Sequence, residues 1–505
     1  MAKTIMIQGT MSGVGKSLLC AGLCRIFTQD GYRTAPFKSQ NMALNSFITR
    51  DGHEMGRAQV VQAEACKIEP DVRMNPILLK PTTDVGSQVI VNGRVLGNME
   101  AWKYFGYKKK LIPEVKRAYE SLANEFDIIV IEGAGSPAEI NLKQDDIVNM
   151  GMAKFAHAPV LLAGDIDRGG VFAQLCGTLL LLTEEERRYV QGLIINKFRG
   201  DKTILEPGLA MLEEKAGKPV AGVIPYERLN LDEEDSLSER LKDRKEEDGG
   251  LIIAVIRFPR IANYTDFRAL ERLEGISLHY TVRPEDLKTA DLIILPGSKS
   301  TIADLNWMKK NGLEEELYRQ YQNGKLIMGI CGGYQMLGEQ LNDPTETEGE
   351  QFAQGLGFLP VQTSFYPDKI RVQSEGTVAS LSGVWKPLTG ARLNGYEIHM
   401  GRSIYRRDYR KFAILSSAKQ GTAQDDGCVM DNVLGTYLHG IFDSREFTER
   451  FLTIVCRHAG KKNVLGEITD FNQFKEEEYD RLADLVRHNL DMDFVYQVLE
   501  RGMED

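Results

Sequence analysis

A series of short apolar runs, each too brief for a helix and each followed by a helical pattern, constrains this chain more than any other feature. Thr4–Gln8, Asp127–Glu132, Pro159–Asp165, Gly192–Asn196 and Val220–Pro225 show no inside-outside alternation, so as strands they are buried on both faces. Strands of that kind, interleaved with helices, predict a doubly wound α/β domain with a mostly parallel sheet. A second α/β series opens at Leu251–Ile256, continues through Asp291–Ser298 and Leu326–Gly329, and reaches Val433–Phe442. Between the two lies LDEEDSLSERLKDRKEEDGG, dense in charge and poor in apolar anchors, which reads as a linker that few contacts cross. The expected domains are therefore residues 1–230, a linker at 231–250, a second α/β domain at 251–446 and a helical C-terminal extension at 447–505. A chain of 505 residues is too long for one core.

Two of the predicted strands end in turns that carry chemistry. After Thr4–Gln8 comes GTMSGVGKS, Gly9 to Ser17, which opens a helix. Five residues separate Gly9 from Gly15, where the usual phosphate loop has four, so the loop is a variant. Its chemistry survives the change. Gly13 and Gly15 let backbone N–H groups approach phosphate oxygens, Lys16 reaches the β- and γ-phosphates, and Ser17 is placed to ligate Mg²⁺. Glu132 closes the run FDIIVIE and precedes GAGSP, the position expected of a second Mg²⁺ ligand at a strand's C-terminal end. The alternative is a solvated strand-end carboxylate.

The second turn is GICGG, Gly329 to Gly333, between the run from Leu326 and a helical pattern near Tyr334. It puts Cys331 on a sharp strand-to-helix elbow, where a thiol points out of the fold and the N–H groups of the following helix favour the thiolate. A lone cysteine is more commonly buried and inert. Here the elbow argues for a nucleophile in acyl transfer. TYLHGIF sets His439 just after a strand, where it can serve as general base. The backbone N–H groups of Gly332 and of Gly297 and Ser298, in the PGS segment, are candidates for the oxyanion hole.

Composition limits the partners. A net charge of −10 and a pI of about 5.5 argue against a nucleic-acid footprint. No stretch approaches the ~20 uninterrupted apolar residues of a membrane span, and no signal peptide precedes the first strand. The seven cysteines are scattered, without CxxC pairs or metal spacing, as suits the cytoplasm. No structural zinc is expected.

The loop GTMSGVGKS with EGAG resembles the dethiobiotin synthetase-like branch of P-loop proteins. FKSQNMALNS at Phe37–Ser46, MNPILLKP at Met74–Pro81, EGAGSPAEINL at Glu132–Leu142, DIVNMGMA at Asp146–Ala153 and DIDRGGVFA at Asp165–Ala173 resemble the cobyric acid synthases. That likeness covers nearly the whole chain. It implies a ligase that amidates the b, d, e and g carboxylates of adenosylcobyrinic acid a,c-diamide with ATP, Mg²⁺ and glutamine. It also implies that Lys38 bridges the substrate carboxylate and the γ-phosphate, and that Asn196 stands where this branch reads adenine. Gln40 and Asn41 would offer neutral hydrogen bonds to an amide-rich corrinoid. Asp146 would orient Mg²⁺ or the incoming group, or else cap the next helix.

GICGG and His439 resemble the elbow and base of class I glutamine amidotransferases. Many of these carry Glu two residues after the histidine, whereas Ile441 stands here, a departure that the cobyric acid synthases share. Asp443, Glu397 and His399 remain open as groups that orient His439. Cobyrinic acid a,c-diamide synthase is the nearest rival, with a different sequence after its FK. A partition-type ATPase is disfavoured by Met11, which stands where such a protein has a signature lysine.

Overall fold

The computed structural model describes residues 2–503, leaving aside 83–85, 144–145, 232–248, 350, 406–408, 418–422, 462–465, 467 and 469. Nearly all of the expected linker thus lies outside the described residues. The chain forms two compact units, the first from Met1–Ala43, Glu54–Ser236 and Lys475–Asp505, the second from Leu44–His53 and Leu237–Phe474.

The first unit is built on six parallel strands in the order Val220–Pro225, Val190–Phe198, Val160–Asp165, Lys3–Gly9 (β1), Ile128–Glu132 and Thr34–Phe37 (β2). Every residue of Ile128–Glu132 and Val160–Asp165 is buried, as helix cover on both faces requires. The doubly wound sheet is as expected from the apolar runs. A separate four-stranded sheet joins Gln40–Met42 (β3), Ile77–Pro81, Gly86–Val91 and Arg94–Glu100. The helix Ala101–Lys108 follows it directly.

The second unit has a parallel sheet in the order Ile276–Thr281, Leu251–Ile256, Leu292–Leu295, Leu326–Ile330, Val433–Thr436, closed by an antiparallel edge strand, Cys428–Met430. A further antiparallel sheet is dominated by the long pair Val361–Val378 and Arg392–Tyr405. Both glycine turns lie at C-terminal ends of parallel strands, where open α/β sheets bind their ligands.

The units depart from the contiguous domains that composition suggests in two places. Leu44–His53 belongs to the second unit although it lies inside the first domain's sequence. The C-terminal extension is split: Arg445–His458 stays with the second unit, while the chain from Lys475 returns to the first. There Tyr479, Leu482, Val486 and Leu490, spaced at three and four residues, pack into one core with Leu19, Leu23 and Phe27. Arg25, itself buried, pairs with Glu476 and Asp480. An apolar stripe at helical spacing must be covered, and the first unit supplies the cover.

Candidate active sites

The thiol site takes its shape from the backbone. Cys331 sits at φ 51 and ψ −109, a strained conformation for a residue with a Cβ and the mark of a nucleophile elbow. The helix begins at once, Gly332–Leu337, and is only six residues long. Cys331 N donates to Thr436 O at 2.8 Å, tying the elbow to the neighbouring strand. Its Sγ lies 3.6 Å from Ile398 O.

His439 is buried, at 1% exposure, near enough to Cys331 for the sulfur to act on its charge. Its Nδ1 lies 2.7 Å from Oδ2 of Asp266, and the other Asp266 oxygen accepts from Gly440 N at 2.9 Å. Burial alone would lower the pKa of the imidazole, but the charges of Asp266 and Cys331 and the Asp266 hydrogen bond raise it to about 10, which favours the imidazolium form.

Asp266 therefore fills the place that Asp443, Glu397 and His399 left open. Glu397 instead accepts from Ser374 at 2.6 Å, and this bond together with the His399 ring 3.6 Å away holds it below the usual carboxylate range against the opposing effect of burial. His399 Nδ1 faces Gly401 O at 2.7 Å. Asp266 stands 173 residues before the histidine in the turn Tyr264–Phe267, so no local spacing announces it.

Gly332 packs closely on the Ser298 main chain, and Gly297 on the His439 ring. A methyl group built on Gly332 would meet Ser298 N at 2.8 Å, and one on Gly297 would meet His439 Cε1 at 3.1 Å. Ser298 Oγ donates to Asp304 at 2.6 Å and accepts from Ser300 N.

In the first unit, Gly13, Gly15, Lys16, Ser17, Lys38, Asn41 and Glu132 line one cavity. Lys16 Nζ donates to the carbonyls of Met11 and Gly135 at 3.0 and 3.2 Å. Glu132 Oε1 accepts from Ser17 at 2.8 Å and from Lys38 at 2.9 Å, while Gln62 and Gln59 serve Oε2. Burial opposes its ionisation, yet the Lys38 charge and these donors hold its carboxyl below the ordinary value. Asn41 donates to Gln59 at 3.0 Å. Neither glutamine stands out in the sequence.

Asn196 Nδ2 donates to Val14 O at 2.7 Å and, with Gly15, Lys197, Pro225 and Tyr226, lines a second cavity behind the loop. A third, largely apolar cavity of about 360 Å³ is lined by Gln40, Met42, Met99, Tyr104, Phe105, Leu142 and Asp146 among others. Tyr104 donates to Gln40 Oε1. Asp146 reaches the cavity wall, but its two oxygens accept from the N–H groups of Val148, Asn149 and Gly151 at 2.9 to 3.0 Å. These bonds tie Asp146 to the turn leading into the helix Met150–Phe155 and to Gly151 in its first turn.

Relatives match this architecture end to end. A chain from Lachnoclostridium phytofermentans named "Cobyric acid synthase" is 55% identical over 100% of both chains. The chain belongs to the cobyric acid synthase family. The chain of that name from Ruminiclostridium cellulolyticum is 54% identical, covering 100% of this chain and 98% of its own, and that from Photorhabdus laumondii is 48% identical over 99% and 98%. The family model described as CobQ/CobB/MinD/ParA nucleotide binding domain matches residues 5–237, and that described as CobB/CobQ-like glutamine amidotransferase domain matches residues 252–447. A solved structure described as a glutamine amidotransferase, 20% identical, covers 41% of this chain and 98% of its own at a TM-score of 0.29. The cobyric acid synthase family is one of enzymes, and both of its domain types are present here. Among the described residues no helix is long and apolar enough to cross a membrane.

Proposed function

We propose that the chain amidates the b, d, e and g carboxylates of adenosylcobyrinic acid a,c-diamide, drawing nitrogen from glutamine and driving force from ATP. Two separate chemistries on one polypeptide support this reading above all: a thiol with its base and orienting carboxylate, and a phosphate loop facing a buried Lys38–Glu132 pair.

In the second unit, Cys331 sulfur attacks the glutamine side-chain carbonyl, and the oxyanion that forms meets the N–H groups of Gly332 and Ser298. His439 then gives its proton to the departing nitrogen, and ammonia leaves a glutamyl thioester. Water, losing a proton to His439, releases glutamate and returns the thiol. Asp266 holds the imidazole in the tautomer this exchange needs.

A carboxylate does not react with ammonia at neutral pH because its leaving group is poor. In the first unit a substrate carboxylate oxygen attacks the γ-phosphorus of ATP, ADP departs, and ammonia displaces phosphate from the acyl phosphate. Lys16 neutralises the transferring phosphoryl group and Lys38 draws in the carboxylate. The apolar cavity lined by Tyr104, Phe105 and Met99 takes the hydrocarbon of the corrin, with Gln40 for a side-chain amide. The flat space beside Asn196 and Tyr226 takes adenine. Ser17 and Glu132, 2.8 Å apart in the same cavity, suit Mg²⁺, which takes one or two protein oxygens and completes its shell with phosphates and water. Bound there, the ion would neutralise charge on the β- and γ-phosphates. Reduced cysteines, all seven free among the described residues, favour the cytoplasm as its compartment.

The test is nitrogen-source dependence. Cys331→Ala is expected to lose amidation with glutamine and keep it with ammonium. Loss of both in a folded variant would refute the two-site reading.

A further inference from the structure

The C-terminal segment that returns to the first unit does more than cover an apolar core. Leu482, Leu485 and Val486, on the helix Phe471–Asn489, line the cavity behind the phosphate loop. Gly15 and Leu18 line both that cavity and the phosphate cavity, so the two adjoin at the loop. Their characters differ. The phosphate cavity carries Lys16, Ser17, Lys38 and Glu132, whereas the second is lined chiefly by apolar side chains. A molecule with phosphates at one end and a flat ring at the other matches that division.

The three helix residues are not equivalent. Leu482 and Val486 are closed into the core, at 2% and 1% exposure, and a methyl group built on Gly22 of the helix Lys16–Gln29 would meet Val486 Cγ2 at 2.7 Å. Leu485 stays half-buried. It keeps apolar surface that a ligand in the cavity can take out of water.

The polar groups along this cavity are engaged with the protein. The Asn196 amide nitrogen donates to Val14 O at 2.7 Å and Lys197 Nζ to Gly13 O at 2.6 Å, while Glu227 Oε1 accepts from Arg481 Nε at 2.7 Å. Recognition of a ring there falls mainly to apolar contact. The Arg481–Glu227 pair and the bond from Asn230 N to Glu478 Oε2, at 2.5 Å, hold the C-terminal helix against the segment that carries Pro225 and Tyr226. The spacing of the cavity's walls is thereby set by this helix.

We propose that the C-terminal helix is part of the nucleotide site: Leu485, backed by Leu482 and Val486, is the wall on which the adenine ring of ATP rests. The inference deepens the function proposed above and rests on its placement of adenine. A segment from the far end of the chain sets how tightly ATP is held without touching the phosphates. A helix that only covers the core predicts something else, a loss of stability with no change in nucleotide affinity.

The experiment measures ammonium-supported amidation of the a,c-diamide corrinoid by the full chain as ATP is varied, with inorganic tripolyphosphate as a competitor that carries phosphates and no ring. Leu485→Ala is expected to raise KM for ATP about tenfold, as loss of apolar contact in a pocket does, with kcat, KM for the corrinoid and inhibition by tripolyphosphate little altered. Leu485→Met, which keeps the volume, is expected to stay near wild type. Leu485→Gln, which keeps the length and adds a polar end, is expected to raise KM for ATP as alanine does and replaces it in the test if the alanine variant does not fold. An unchanged KM for ATP overturns the wall, whether or not the thermal midpoint falls. Equal weakening of ATP and tripolyphosphate also overturns it, because the helix then acts through the loop and not on the ring. A wild type that consumes no ATP, or that tripolyphosphate does not inhibit, overturns the proposed function first, and the wall with it.

Discussion

The two turns at the heart of this chain are built alike and finished differently. Each ends a parallel strand and opens a helix, and each puts its reactive side chain at the sheet's C-terminal edge. At the elbow the polar groups are held by protein partners: His439 by Asp266, and Ser298 by Asp304. At the phosphate loop the reactive groups are held by one another or by main-chain carbonyls. Lys16 rests on Met11 and Gly135, and Lys38 on Glu132. The difference follows from the chemistry. On the proposed mechanism a covalent nucleophile is served by protein groups, whereas phosphoryl transfer assembles its charges from the substrates themselves.

The largest test of this contrast is Cys331→Ala. Glutamine-dependent amidation is expected to fall by ~10⁴ or more, as when a covalent nucleophile is removed, with ammonium-dependent rates near wild type. Next comes Asp266→Asn, in a group that tunes rather than reacts. A drop of about 10²–10⁴ in glutaminase kcat is expected, again without effect on ammonium-dependent amidation. The sign of its pH effect follows from the charges. Asp266 raises the His439 pKa to about 10, so the imidazolium persists below that value and is lost as pH rises through it. Removing the carboxylate lowers the pKa, and the alkaline decline of kcat should arrive at lower pH. A variant whose alkaline limb does not move would show that Asp266 does not set this charge.

On the other side, Lys16→Ala is expected to cost about 10²–10³ in amidation with either nitrogen source, while glutaminase turnover without corrinoid is retained. Near wild-type amidation by that variant would remove the loop from the chemistry. Tyr104→Phe is the smallest change. It deletes one neutral hydrogen bond to Gln40, worth ~1 kcal/mol, so KM for the corrinoid should rise about fivefold with kcat little altered.

Much of this organisation was legible because the signals were local. The apolar runs gave the strands, and the glycine turns gave Lys16, Ser17 and Cys331 within a few residues of strand ends. Asp266 was not legible, since its pairing with His439 spans 173 residues and rests on tertiary contact alone. Gln59 and Gln62 were hidden for the same reason, as ordinary helix residues until Glu132 is brought against them. Asp146 was ambiguous in sequence because a capping aspartate and a ligand share the same position before a helix. The second unit's long antiparallel pair escaped notice because its strands alternate in burial along stretches of mixed polarity. Leu44–His53 could not be assigned by position at all: nothing in ten residues says which of two cores will cover Ile48.

The central claim is that one unit makes ammonia and the other spends it on four carboxylates of a corrinoid already bearing two amides. It is tested most directly by product mass. The a,c-diamide and cobyrinic acid are each incubated with ATP, Mg²⁺ and glutamine labelled with ¹⁵N in its side-chain amide. The account predicts that the a,c-diamide gains four labelled amides through partly amidated intermediates and that cobyrinic acid is left unchanged, because two extra carboxylates would enter an apolar cavity uncompensated. Conversion of cobyrinic acid that stops after two labelled amides would contradict it and favour the a,c-diamide synthase reaction.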